Sequence, residues 1–253
     1  ALMSPNPVVL DESTTLDDAR TILANYGFRH IPVVRQNAVV GILSDRDLAL
    51  ASRIDGTVAD VMHEDVLCID PYMGAAQAAE LMVRQKVGAL PVVDEATLGG
   101  IVTETDMLRS YLELVRTTRH SEDSTVRYSM HYPVEHVSPE TRIEDALDVL
   151  DPRVDHLPVI EEGRLAGIVS HRDLMTGLAR SSARDMRAQD EGRMEEPGLP
   201  VSVVMTDRVV TVSPDETLSR AATLMIGHKF SALPVVENTD CLGMITVSYT
   251  HLT

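Results

Sequence analysis

The sequence has no tryptophan, two phenylalanines and only 3% aromatic residues in all. A single large core built around aromatic rings is therefore excluded, and burial has to rest on Val, Leu, Ile, Ala and Met packed in small elements. Cysteine is equally scarce. Cys68 and Cys241 are too few and too far apart for a disulfide framework or a thiolate zinc site. Positive charge is in deficit, with 22 Lys and Arg against 39 Asp and Glu and a formal net charge of -17. Nucleic acid and anionic membrane partners both need clustered cations, so neither is expected. No apolar run approaches the ~20 residues of a membrane-spanning helix, and nothing resembles a signal peptide, so a cytoplasmic location is expected.

Catalytic signatures are missing too. There is no Gly-x-Ser-x-Gly elbow, phosphate-binding Walker loop or GxGxxG fingerprint, and no carboxylate sits in a context that would raise its pKa for general acid chemistry. His131 and His136 stand five residues apart with no cysteine near them, which is not the pattern of a metal centre. Of the 12 methionines, those at the repeat starts and in Leu81-Met82 and Leu224-Met225 fall at core-like positions, and no cofactor box is indicated. The expectation is a chain that is not an enzyme and holds no metal and no tightly bound cofactor.

What the chain does have is a fourfold internal repeat. Met3, Met62, Met130 and Met205 each open the same pattern, with Ala19, Ala78, Ala146 and Ala221 sixteen residues further on. Thirteen residues later, or twelve in the third copy, come Pro32, Pro91, Pro158 and Pro234 inside the apolar runs IPVV, LPVV, LPVI and LPVV. Nine residues beyond each Pro lies Gly41, Gly100, Gly167 or Gly243, and twelve beyond lies Ser44, Thr103, Ser170 or Thr246. Fifteen beyond stands Asp47, Asp106 or Asp173, replaced in the last copy by Tyr249.

Each copy reads as a short β-branched strand such as VVTVSP at 209–214, then an amphipathic helix with apolar residues at helical spacing (Leu16, Ala19, Ile22 and Leu23 in the first). The Pro-led and Gly-led runs follow as a hairpin, and a second helix starts at the hydroxyl residue. The fold class is α/β (α+β), with a unit of strand, helix, strand, strand and helix. About fifty residues cannot bury enough surface alone, so the copies should pair into two modules. The first pair is expected over 1–116, with repeats at about 1–52 and 58–116, and the polar stretch 117–127 is the linker. The second pair is expected over 128–253, with repeats at about 128–180 and 200–253 and an exposed linker inserted at 181–199. Pro152 should shorten the first helix of repeat three. The last repeat is expected to be truncated, because the tail VSYTHLT stops before a second helix and resembles translated adaptor sequence. The longer lead-ins VADVM and VSVVM suggest that residues are also missing ahead of Met3.

Four copies of h-P-V followed by G-h-h-[ST]-x-x-D resemble the cystathionine-beta-synthase (CBS) domain family over essentially the whole chain. The resemblance implies paired repeats, each pair a Bateman module with two clefts, that take adenosine-containing ligands: AMP, ADP, ATP or S-adenosylmethionine, with Mg2+ as the ligand of some members. It implies that Ser44 with Asp47, Thr103 with Asp106, and Ser170 with Asp173 hold the ribose hydroxyls. An ionised carboxylate suits that task because it accepts from both hydroxyls of a vicinal diol. The same Ser/Thr-x-x-Asp pattern is also a helix capping box, and the two roles are compatible. Phosphate would be met by Arg46, His171 and Arg172 beside the motif and by His30 and His156 before the Pro strands, with Arg29 and Lys229 as weaker candidates. Repeat two carries Glu104 and Thr105 instead, which suits phosphate poorly. The adenine slot is expected near Val8, Ile31, Val66, Leu90, Val137 and Leu157, residues equally fit for a core.

Three readings follow for function. The first is a regulatory sensor of an adenine nucleotide or S-adenosylmethionine that acts by population shift, homodimerises through its modules and meets a regulated protein partner. The second is a structural dimerisation module with empty clefts, and the third is a divalent-cation sensor.

Overall fold

The computed structural model describes residues 2–51, 55–117, 123–150, 155–190 and 198–247, with the side chains of 182–190 excepted. Pro152, Tyr249 and the tail beyond Val247 lie outside the described residues, as does part of each expected linker. The chain divides into two compact units, residues 1–117 and 118–253.

In the first unit the elements are β1 (Ser4–Pro5), β2 (Leu10–Asp11), α1 (Leu16–Tyr26), β3 (His30–Arg35), β4 (Ala38–Ser44), α2 (Asp45–Leu50), a 3-10 turn (Val58–Asp60), α3 (Ala75–Gln85), β5 (Ala89–Asp94), β6 (Thr97–Thr103) and α4 (Glu104–Thr117). The second unit has a 3-10 turn (Val126–Tyr128), α5 (Ile143–Val149), β7 (His156–Glu161), β8 (Arg164–Ser170), α6 (His171–Asp190), a further 3-10 turn (Val201–Val203), α7 (Leu218–His228), β9 (Ala232–Glu237) and β10 (Asp240–Thr246). The fold is mixed α/β, and all four Pro-led and Gly-led runs form antiparallel hairpins in one register, with Ile42, Ile101, Ile168 and Met244 opposite the prolines.

The leading strand of each repeat is shorter than its β-branched run suggests. Ile69, Val137 and Val212 make single parallel bridges to the Pro-led strands, and only repeat one forms a two-residue ladder, Leu10 to Val33 and Asp11 to Val34. Proline accounts for this. Val212 N–H donates to the Pro234 carbonyl and Val236 N–H donates back to Val212. Continuing the ladder backwards needs an N–H on Pro234, and continuing it forwards needs one on Pro214, and neither exists. Pro71 and Pro139 stand in the same forward position in repeats two and three, where repeat one has Glu12.

Helix α5 has 7 residues where α1, α3 and α7 have 11, as the proline at 152 leads one to expect. Helix α6 departs from expectation by running to Asp190 through what reads as the start of a linker. Residues 181–190 contain neither Gly nor Pro and include Ala, Arg, Met and Gln, which favour helix; the first breaker in the sequence is Gly192, followed by Pro197 and Gly198.

Pairing is reciprocal within each unit. The strand β1, beside Met3 of repeat one, pairs with β6 of repeat two, and His63, beside Met62 of repeat two, bridges to Ile42 in β4 of repeat one. The second unit repeats this, with His131 on Met244 and Thr206 on Ile168. Each opening Met thereby lies on the partner's Gly. A Cβ at Gly100 would fall 2.6 Å from Met3 Sδ, and one at Gly167 would fall 2.9 Å from Met205 Sδ and 2.9 Å from the Thr206 carbonyl oxygen. At Gly41 and Gly243 the place is filled by Met62 Sδ and the His131 carbonyl oxygen. The 3-10 turns cross as well: fully buried Val58 and Val201 join the cores of repeats one and three. Full burial of a Val is worth about 1.5–3 kcal/mol, so repeats one and three each complete their core with a residue from the next repeat.

Among the described residues no helix is long and apolar enough to cross a membrane. Two glycine substitutions test the packing. Gly167→Val should destabilise the second unit by about 1–3 kcal/mol, because backbone as well as the Met205 thioether blocks the added carbons. Gly227→Ala in α7, with nothing within 4 Å, should stabilise it by about 0.5–1 kcal/mol. Urea unfolding of the two variants is expected to move the midpoint in opposite directions.

Candidate functional site

The [ST]-x-x-D segment lies where the hairpin ends and the second helix begins, so its side chains carry the orphan N–H groups of a helix N-terminus. In repeat one Ser44 caps α2 in a full capping box. Ser44 N–H and Oγ donate to Asp47 Oδ2 at 2.8 and 2.6 Å, and Asp47 N–H donates back to Ser44 Oγ at 3.2 Å. Repeat three reproduces the geometry, with Ser170 N–H and Oγ on Asp173 Oδ2 at 2.9 and 2.6 Å and Asp173 N–H on Ser170 Oγ at 3.2 Å. Repeat two has Thr103 N–H and Oγ1 on Asp106 Oδ2 at 2.9 and 2.7 Å. One carboxylate oxygen in each of the three copies is thus committed to the cap, which leaves Oδ1 to meet anything further.

The three Oδ1 atoms meet different surroundings. His63 Nε2 lies 3.1 Å from Asp47 Oδ1. His63 belongs to the opening segment of repeat two, so Asp47 stands on the junction between repeats. Asp106 Oδ1 accepts from Arg109 Nη1 at 3.1 Å, and its side chain is 7% exposed. Among the described residues Asp173 Oδ1 has no bonded partner.

The hairpin register brings the proposed cations to the same place. His30 is the cross-strand partner of Ser44 and His156 that of Ser170, whereas Ala89 faces Thr103 and Ala232 faces Thr246. A backbone bond recurs beside them, from Asp45 N–H to Arg29 O, Glu104 N–H to Gly88 O and His171 N–H to Asp155 O. It clamps the first residue of the second helix against the residue preceding the Pro-led strand. Arg46 and His171 are half-buried and Arg172 is exposed. Repeats one and three therefore carry His30 and Arg46, and His156, His171 and Arg172, at the hairpin end where their second helix is capped. Repeat two gathers Glu104 instead, whose carboxyl carbon lies 3.6 Å from where a Gly88 Cβ would stand, next to His30. Lys229 is exposed, in the left-handed C-cap of α7.

The adenine-slot residues divide. Ile31, Leu90, Val137 and Leu157 are buried in the cores of their own repeats, whereas Val8 and Val66 are half-buried and keep surface. Ile31, Leu90 and Leu157 point inward from the Pro-led strands, and Val137 is the residue that bridges to one of those strands, whereas Val8 and Val66 precede the bridging residue of their repeats and belong to no strand. His63 is the residue that the motif misses. Its signal was nonetheless present: it follows directly after a repeat-opening Met, as Ser4, His131 and Thr206 do.

Neither thiol is set up as a nucleophile, because desolvation pushes Cys68 up and outweighs the backbone hydrogen bond at Cys241. Among the described residues no cluster of His, Cys, Asp and Glu could hold a metal ion.

The CBS domain family model matches residues 1–53, 58–113, 125–180 and 201–249. The chain belongs to the CBS domain family. Protein MJ1225 of Methanocaldococcus jannaschii is 27% identical over 94% of this chain and 92% of its own length. Its crystal structure superposes with a TM-score of 0.81 over 98% of this chain and 96% of that one, at 23% identity, and so shares the fold. An uncharacterized conserved protein of Pyrococcus horikoshii covers 97% of this chain, and 94% of that chain is covered in return, with a TM-score of 0.67 at 25% identity. The inosine-5'-monophosphate dehydrogenase of Korarchaeum cryptofilum matches 40% of this chain at 30% identity, with 21% of its own length.

Removing cap hydroxyls should separate the copies. Ser170→Ala is expected to cost about 1 kcal/mol as a lost N-cap. Thr103→Ala should cost more, about 1–3 kcal/mol, because it strips a donor from a carboxylate that is nearly out of contact with water. Urea unfolding midpoints of the two variants check the order.

Proposed function

We propose that the protein is a regulatory CBS-domain sensor that binds an adenine nucleotide, or S-adenosylmethionine, in the grooves between paired repeats, and that it is not an enzyme. The observation that carries this reading is the half-used carboxylate of Asp173. Its Oδ2 is held by the α6 cap and its Oδ1 is unbonded among the described residues, beside a hairpin end that presents His156 opposite Ser170 and starts α6 with His171 and Arg172. A fixed carboxylate oxygen suits a ribose diol, and imidazole and guanidinium groups suit the phosphate that follows it. The helix N-terminus adds favourable potential for the anion. Asp47 with Ser44, His30 and Arg46 offers the same set in the first unit, and Val8 and Val66 supply apolar surface for the base. The family match spans nearly the whole chain and the dehydrogenase match involves a fifth of that enzyme, so enzymatic chemistry has no support. Homodimerisation through the modules, a regulated protein partner and a modulating Mg2+ complete the reading.

The purely structural reading is favoured by one observation, the complete capping box at Ser44 and Asp47, which accounts for those residues without a ligand. A thermal-unfolding panel with AMP, ADP, ATP, S-adenosylmethionine and Mg2+ separates the readings. A nucleotide at about 100 times its dissociation constant should add about 2.7 kcal/mol of stability, and Asp173→Ala should abolish the shift in the second unit while costing only about 1 kcal/mol as a lost cap. No shift with any nucleotide favours the structural module, and a shift with Mg2+ alone favours the cation sensor.

A further inference from the structure

The three cap carboxylates occupy equivalent places in the repeat, yet the residue one helical turn further on differs in each. Repeat one has Leu50, repeat two Arg109 and repeat three Thr176. Leu50 is exposed and has no donor to offer, and Thr176 Oγ1 is committed to the backbone carbonyl of Arg172 at 2.9 Å. Arg109 alone turns its side chain back along the helix to the carboxylate, with Nη1 3.1 Å from Asp106 Oδ1, as an i,i+3 pair allows.

We infer that Arg109 is a built-in occupant of the repeat-two groove: its guanidinium stands where a ribose diol would donate, so that this groove takes no adenine nucleotide unless Arg109 is removed. This rests on the nucleotide-sensor reading and assigns its grooves unequal roles. Both oxygens of Asp106 are bonded, Oδ2 by Thr103 and Oδ1 by Arg109. A neutral hydroxyl displacing the guanidinium would exchange an ion pair, charged on both sides, for a bond charged on the carboxylate side alone. The contrast with Asp47 is one of origin. His63 reaches Asp47 from the opposite repeat and is 69% exposed, so that contact belongs to the groove's rim and can turn outward to a ligand. Arg109 is on the same helix as Asp106, and its pairing is independent of how the two repeats sit. The rest of the groove agrees. Where repeats one and three supply Arg46 and Arg172, repeat two supplies Thr105; Glu104 adds a carboxylate beside it, and the position of His30 and His156 is taken by Ala89. From repeat two itself, anionic ligands meet a cation, Arg109, that is already paired and a carboxylate, Glu104, of the same sign as they are, with His30 of repeat one beside it.

Equilibrium dialysis of the full chain against AMP tests this, with moles bound per chain at saturation as the readout. Arg109→Thr, which installs the repeat-three residue, is expected to bind one AMP more than the parent chain, and Arg109→Thr combined with Asp106→Asn should lose that gain. Arg109 is 61% exposed, so the substitution should leave the fold intact, checked by urea unfolding. A folded Arg109→Thr chain that binds no more AMP than the parent overturns the inference, whatever the parent binds. A parent chain that binds AMP, and binds less after Asp173→Asn, upholds the general reading independently. If neither parent nor variant binds AMP, the inference falls, and the general reading falls with it when the thermal panel shows no shift with ADP, ATP or S-adenosylmethionine either.

Discussion

The structure depends on an exchange: each repeat opens with a segment that belongs to its partner's sheet and core. Met62 lies on Gly41 and Val58 completes the core of repeat one, while Met3 lies on Gly100 of repeat two. The second unit repeats the arrangement with Met205 on Gly167 and Val201 in the core of repeat three. A unit of some fifty residues has too little interior to be stable alone, and the exchange makes the pair the smallest folding unit. It also explains why an opening methionine and a strand glycine recur together in all four copies. A flexible thioether pressed on bare backbone tolerates small differences between copies, and any side chain at the glycine would force the segment away.

The same exchange sets the surroundings of the cap carboxylates. A segment that must cross to the partner's Gly-led strand brings the residue after its Met to the far end of that strand, where the second helix is capped. His63 comes within 3.1 Å of the Asp47 carboxylate in this way. Cap geometry and the proposed ligand geometry therefore share one construction. The helix start fixes one carboxylate oxygen, and the second faces whatever the crossing segment or the helix itself presents. Three copies of one motif thereby acquire three environments, with an imidazole from across the junction at Asp47, a guanidinium from its own helix at Asp106, and no bonded partner among the described residues at Asp173.

Proline sets the limits of the regular structure. It starts each hairpin on the side where its missing N–H does least harm, and it stops the parallel ladder to the leading strand at a single residue in three of the four repeats. The scarcity of aromatics fits this construction, because the cores of repeats one, two and three are thin layers of Val, Leu, Ile, Ala and Met between one hairpin and two helices.

Much was legible in the residues themselves. Repeat number, hairpins, helices and cap carboxylates followed from spacing, because period-2 and period-3.6 patterns are local and the [ST]-x-x-D segment satisfies its own backbone. The shortened α5 followed from a single proline. What remained hidden was whatever depends on a neighbour distant in sequence. The run after each Met reads as a strand, and only the position of the prolines on both sides decides that it bridges at one point. Residues 181–190 read as linker because they are polar, yet polarity on a helix built of good helix formers is only an exposed face. Ile31, Leu90 and Leu157 read equally as slot or core, and strand direction decided for core. The sequence by itself determined the four copies and their carboxylates, since these are patterns of spacing. Only the tertiary structure decided which carboxylate oxygen stays open, because that depends on the side chain that folding brings within 3 to 4 Å of it.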